Sequence, residues 1–132
     1  MYVVGFDIGG TKCAVLLCRV YEERIEWYER REIATAPDWR GILDSLCGHA
    51  EEMLGRFLVD REDCRIGISC GGPLSADRRV ICSPPNLPGW DDVPVVEYLS
   101  AKLRMPARML NDADACALAE WRYGAGKSAP RR

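Results

Sequence analysis

Residues 2–18 read Tyr2-Val3-Val4-Gly5-Phe6-Asp7-Ile8-Gly9-Gly10-Thr11-Lys12-Cys13-Ala14-Val15-Leu16-Leu17-Cys18. Residues 2–8 are an apolar, β-branched run that ends at a glycine pair, which reads as a buried strand. Residues 13–18 read as a second buried strand. So short a connection joins strands antiparallel. The turn from Asp7 to Lys12 has two readings. Adjacent glycines admit positive φ and let a ligand approach the backbone closely, and amides in such a turn converge on an anion. Asp7, at the strand end, is then placed to hold water or Mg²⁺ near phosphates, and Thr11 adds a hydroxyl. Gly-Gly is equally a common hairpin pair that binds nothing. The residues alone leave both readings open. The spacing is not G-x-x-x-x-G-K-[ST] and no helix follows, so a P-loop nucleotide site is excluded on context.

Outward from this hairpin, residues 24–33 mix Ile25, Trp27 and Tyr28 with charges in imperfect alternation, which marks an exposed or edge strand. Residues 39–59 change period. Ile42, Leu43, Leu46, Cys47, Ala50, Met53, Leu54, Phe57 and Leu58 recur at three- and four-residue steps, one core-facing helical stripe, with Asp38 as its N-cap. His49, the one histidine, lies beside that stripe and reads as a structural residue. Residues 65–70 form another buried strand, closed by Gly71-Gly72-Pro73. A short β excursion follows, with Asp77-Arg78-Arg79 at its tip and residues 80–82 returning. Residues 83–90 are too rich in Pro and Gly for regular structure. Pro94 to Arg104 reads as a helix with proline in its first turn. Met109-Leu110 closes a short strand, and Asp112 to Tyr123 reads as a third helix. The order strand–strand–strand–helix–strand–helix–strand–helix implies an α/β domain with a mixed sheet, three antiparallel strands first, and helices packed on it.

Composition narrows the function classes. The chain has 132 residues, 48% hydrophobic and 29% charged, with net charge −2, an ordinary globular balance. Fifteen of its 18 basic residues are Arg, scattered rather than striped. Neither a nucleic-acid footprint nor a polybasic membrane surface is expected. No apolar run reaches a transmembrane length, and the N-terminus lacks signal-peptide features, so a cytoplasmic protein is expected. Seven cysteines, at 13, 18, 47, 64, 70, 82 and 116, include no C-x-x-C pair. Reduced, buried thiols are the expected state rather than a zinc or disulfide framework.

Four stretches together carry a family resemblance. Residues 5–12 (GFDIGGTK), 67–74 (GISCGGPL), 83–90 (SPPNLPGW) and 110–120 (LNDADACALAE) resemble, in order, the first phosphate motif, the Gly-Pro turn beside the sugar, the S-P-N-L-P-G-W loop and the E-N-D-A-N-A-A-A-L-G-E helix start of the ROK sugar kinases. The loop here carries one extra proline. These kinases include bacterial glucokinases and have the ribonuclease-H-like, actin-like ATPase fold, of which this chain matches the N-terminal domain. The resemblance implies phosphate binding by Asp7, Gly9, Gly10, Thr11 and Lys12, with ATP and Mg²⁺ as cofactors. It implies that Asp112 is the general base for a hexose hydroxyl and that Gly72, Asn86, Asn111 and Asp112 contact the sugar. Read without it, Asn111 or Asp112 is a helix cap, and the loop around Asn86 is a rigid connector with Leu87 and Trp90 as satellite core residues.

The family pattern also sets expectations of extent. Residues 1–125 correspond to the N-terminal α/β domain and residues 126–132 to a disordered tail. A C-terminal ATP-binding domain, with a second phosphate motif and the family's zinc site, is absent. A truncated chain without kinase activity of its own is therefore expected, from a full-length form compatible with a homo-oligomer. The hexose stays open, because glucose, mannose, fructose and N-acetylated hexose kinases share these motifs. A non-catalytic sugar-binding remnant is an alternative. So is the sugar-sensing region of a ROK transcriptional regulator, although such regulators carry a helix-turn-helix ahead of the phosphate motif.

Overall fold

The computed structural model describes residues 1–70, 75–77, 79–82, 85 and 87–110. The expected helix 112–123 and the tail 126–132 lie outside them. Among the described residues are five strands, β1 (Tyr2–Ile8), β2 (Lys12–Val20), β3 (Ile25–Ala34), β4 (Cys64–Cys70) and β5 (Ala107–Met109), and two helices, α1 (Trp39–Arg56) and α2 (Val95–Leu103). The strands make one sheet in the order β3-β2-β1-β4-β5. β1, β2 and β3 pair antiparallel, and β4 and β5 run parallel to β1. This is the mixed sheet with three antiparallel strands first that the hydrophobic pattern implied. β3 is an outer strand in this order, and its Trp27 is 51% exposed.

Strand alternation sends successive side chains to opposite faces. Val4, Phe6 and Ile8 of β1 join Val15 and Leu17 of β2 in the main core, which α1 and α2 cover. Val3, Leu16, Cys18 and Leu110 form a smaller cluster on the other face. α1 begins where the Asp38 carboxylate accepts the Gly41 amide at 3.2 Å, and it buries Ile42, Leu43, Leu46, Ala50, Met53 and Leu54. It joins α2 through Tyr98, whose hydroxyl donates to Asp44 at 2.6 Å, and through the Trp39–Tyr98 edge contact. Arg31 on β3 pairs with Glu29 and with Glu52 on α1, and Arg56 pairs with Glu29, so charge clamps the edge strand to the helix. His49 is half-buried, with Nδ1 3.0 Å from Arg31.

The structure corrects the sequence reading in three places. α1 ends at Arg56, not at residue 59. The Leu58 amide bonds to Gly55 O at 3.3 Å and the Val59 amide to Leu54 O at 3.0 Å, a Schellman motif with Leu58 in the left-handed position at φ 54°. Leu58, assigned to the core stripe, is 88% exposed. No strand forms among the described residues of the 75–82 excursion. Ser75 and Asp77 side chains organise a turn there, and Ile81 bridges to Val93. Leu87 and Trp90 belong to the main core rather than to a satellite of it. A leucine at left-handed φ is strained while glycine is not, so Leu58→Gly is expected to stabilise the fold by about 1 kcal/mol. Urea denaturation of the two chains reads this directly, and a loss of stability would show that Leu58 packs usefully.

Among the described residues no cysteine forms a disulfide. Burial pushes the thiols of Cys18, Cys47 and Cys64 up to about 12, as expected of inert core residues. Among the described residues no helix is long and apolar enough to cross a membrane.

Candidate functional site

The parallel strands bring the sequence motifs to one end of the sheet. In register, Asp7 stands opposite Ser69 and Ile8 opposite Cys70. Ile68 stands opposite Met109, and the Leu110 amide donates to Ile68 O at 2.7 Å. Asp7, Ser69 and Leu110 thus fall in one row across the carboxyl ends of β1, β4 and β5, a span of about 10 Å at the usual strand spacing. Asn111 and Asp112 follow Leu110 in sequence, and Gly71-Gly72-Pro73 follows Cys70. Ligands of open α/β sheets bind outside the carboxyl ends of their strands.

At that end the Asp7–Lys12 turn closes β1 onto β2. Gly9 N–H donates to Lys12 O at 3.1 Å, leaving Gly10 and Thr11 as a two-residue loop. Both are exposed, and their amides donate to nothing among the described residues. The glycine pair was expected to supply positive φ, yet Gly89 is the one glycine with positive φ among the described residues. Gly9 is needed for space instead. A Cβ there would lie 2.8 Å from the Lys12 backbone oxygen.

The back of the turn is held from β3's end. Thr35 Oγ1 donates to Gly9 O at 2.7 Å and lies 3.2 Å from Cys13 Sγ, while the Thr35 amide donates to Thr11 O at 3.0 Å. Burial raises the Cys13 thiol above its usual range despite the Thr35 contact, so Cys13 is neutral packing here. On the sheet face opposite α1 and α2, Arg30 Nη2 lies 3.8 Å from Asp7 Oδ2 and 3.2 Å from Glu32. Lys12 Nζ is 3.7 Å from the same Glu32. Ala14 stands between Asp7 and Glu32 in register, and its small side chain lets Arg30 reach across β2. These pairs are about half exposed, so each is weak and exchangeable. Two cations and two carboxylates thus form one exposed chain of ion pairs that runs from β3 across β2 to Asp7 at the end of β1.

The proline-rich loop is tied to the same corner. Trp90 is fully buried and its Nε1 donates to Ala36 O at 2.8 Å. Gly89, at φ 87°, lies so close to Pro37 that a Cβ would meet the Pro37 oxygen at 2.8 Å. Residues 87–90 are thus seated on residues 36–37, directly after the Thr35 that holds the turn.

The sequence model of the ROK family matches residues 3–130. The chain belongs to the ROK family. It is 29% identical over 124 residues to a glucokinase of Streptomyces coelicolor, covering 94% of this chain and 37% of that protein. It is 36% identical over 118 residues to an N-acetyl-D-glucosamine kinase of Salmonella typhimurium, covering 88% of this chain and 36% of that one. A ROK family glucokinase from Streptomyces griseus, solved with glucose and AMPPNP, superimposes with a TM-score of 0.65 at 30% identity, covering 97% of this chain and 38% of that chain. The chain spans little more than a third of the length of the curated relatives it matches. Its sheet and helices have the actin-like ATPase fold of these ROK sugar kinases.

Of the residues that the ROK resemblance singled out, the structure gathers Asp7, Gly9, Gly10, Thr11 and Lys12 in one turn. Gly72, Asn86, Asn111 and Asp112 lie outside the described residues. Sequence reasoning missed Arg30 and Thr35. Arg30 sits in an alternation of charges on an edge strand, where nothing marks one arginine above its neighbours. Thr35 carried a faint signal, a hydroxyl residue at a strand end just before Ala36-Pro37. Among the described residues no three His, Cys, Asp or Glu side chains stand close enough to hold a metal ion. Asp7, a part-exposed carboxylate at a strand end, suits Mg²⁺, which takes one or two carboxylates and completes its shell with water and substrate phosphates.

Proposed function

We propose that this chain supplies the phosphate turn, part of the sugar pocket and the catalytic carboxylate for ATP-dependent phosphorylation of a hexose. The observation that carries the reading is the row Asp7–Ser69–Leu110, from which the phosphate motif and the segments around Gly72 and Asp112 all depart. ATP, when bound, supplies the transferable phosphoryl group and Mg²⁺ neutralises its charge. The Gly10 and Thr11 amides and the Lys12 ammonium would hold phosphate oxygens, and Asp7 would hold Mg²⁺. Asn86, Asn111 and the Gly72 backbone fix the sugar hydroxyls. Asp112 accepts the proton of the attacking hydroxyl. A carboxylate in that role is a weak base, which suffices when phosphoryl transfer is loose and the proton leaves late.

A single hairpin turn reaches a triphosphate from one side, and transfer needs the phosphate clamped in line with the hydroxyl. These 132 residues alone are therefore expected to bind a hexose weakly and to show no hexose-dependent ADP formation. Ligand-observed NMR with glucose, N-acetylglucosamine and N-acetylmannosamine, alongside a coupled ADP assay, checks both points. Failure of all three sugars to bind would remove the sugar-pocket assignment. Glucose-dependent ADP release that disappears in Asp112→Asn would overturn the expected inactivity and establish the base.

A further inference from the structure

Thr35 makes two hydrogen bonds to one turn and belongs to none of the motifs that carry the family resemblance. It lies 26 residues from Gly9 in sequence, yet its hydroxyl donates to the Gly9 carbonyl at 2.7 Å and its amide to the Thr11 carbonyl at 3.0 Å. Two of the turn's carbonyls are thereby drawn to the β3 side. The intervening amides, Gly10 and Thr11, remain exposed with no acceptor among the described residues. Peptide planes are rigid, so fixing a carbonyl fixes the amide of the following residue on the opposite side. Binding the Gly9 oxygen therefore aims the Gly10 N–H, and binding the Thr11 oxygen aims the Lys12 N–H.

The next two residues grip the proline-rich loop. Ala36 O accepts the Trp90 indole at 2.8 Å, and Pro37 packs against Gly89. The loop's Asn86 and the turn's amides are assigned above to sugar and phosphate, and both segments are seated on one three-residue stretch. We infer that Thr35 is a positioning residue for phosphate binding, which sets the amides of the Gly9–Lys12 turn and, through Ala36 and Pro37, holds that turn in register with the 87–90 loop. This rests on the phosphate reading of the turn. It adds a residue that touches neither ligand.

The test compares the full 132-residue chain with Thr35→Val, which keeps the shape and loses the hydroxyl, and Thr35→Ser, which keeps the hydroxyl. MgATP is titrated into ¹⁵N-labelled protein, and the Gly10 and Thr11 amides and the Trp90 indole are followed. Thermal unfolding of each variant runs in parallel. Thr35→Val is expected to weaken MgATP binding by about 3- to 10-fold, the worth of a lost hydrogen bond, and to displace the Trp90 indole signal. Thr35→Ser is expected to restore both. Unchanged MgATP affinity in a folded Thr35→Val, or a loss that serine does not restore, overturns the positioning role alone. No MgATP response at Gly10 and Thr11 in the unaltered chain overturns the phosphate reading and this inference with it.

Discussion

Trp90→Ala is expected to remove about 3–5 kcal/mol of stability, the usual loss for a fully buried aromatic. Trp90 is fully buried among the largest core side chains, although it ends a segment too rich in proline and glycine for regular structure. Its truncation opens a cavity in the main cluster and leaves Ala36 O, the acceptor of its indole at 2.8 Å, without that donor. Domains of this kind hold only about 5–15 kcal/mol in total, so the variant stands near the edge of folding. Trp90→Phe separates the two effects. It fills most of the volume and loses the N–H, for an expected cost of about 1–3 kcal/mol from the unsatisfied carbonyl. Urea unfolding followed by circular dichroism measures both. A loss below about 1 kcal/mol in Trp90→Ala would mean that the loop is not anchored by its aromatic.

The contrast between Trp90 and the strands shows what a linear pattern conveys. β1 and β2 were legible because a buried strand repeats its signal at every residue and a glycine pair marks its end. The start of α1 was legible because Asp38 is a capping residue ahead of a periodic stripe. Its end was not. Leu58 continues the apolar period yet takes the left-handed position usually filled by glycine, so composition and conformation point opposite ways. In the site, the turn's residue types admitted an anion cradle or a plain hairpin, and gave no sign of how the turn is held. Thr35 and Arg30 act across strand pairings, and their roles appear only once register brings Thr35 to Gly9 and Arg30 to Asp7. A contact made once, between residues more than twenty positions apart, leaves no periodic trace.

Gly9→Ala tests the turn more severely than any change to its charges. The added Cβ would lie 2.8 Å from the Lys12 oxygen, and neither partner is free to move. Lys12 O accepts the Gly9 amide at 3.1 Å, and Lys12 is in register with Ala34 of β3. The Gly9 carbonyl is held by Thr35 at 2.7 Å. The turn has to open on one side or the other, at an expected cost of about 1–3 kcal/mol, as for overpacking elsewhere in a fold. Opening also rotates the peptide plane that aims the Gly10 amide, so MgATP affinity is expected to fall by at least about tenfold, equivalent to 1.4 kcal/mol. Gly5→Ala is the matched control on the same strand. Its Cβ would press at 3.0 Å on the Leu16 side chain, which can turn aside where a backbone oxygen cannot. That variant is expected to lose some stability and to leave the Gly10 and Thr11 amide signals in place. If Gly9→Ala instead binds MgATP as the unaltered chain does, the glycine pair is only a hairpin turn, and the phosphate must be held elsewhere.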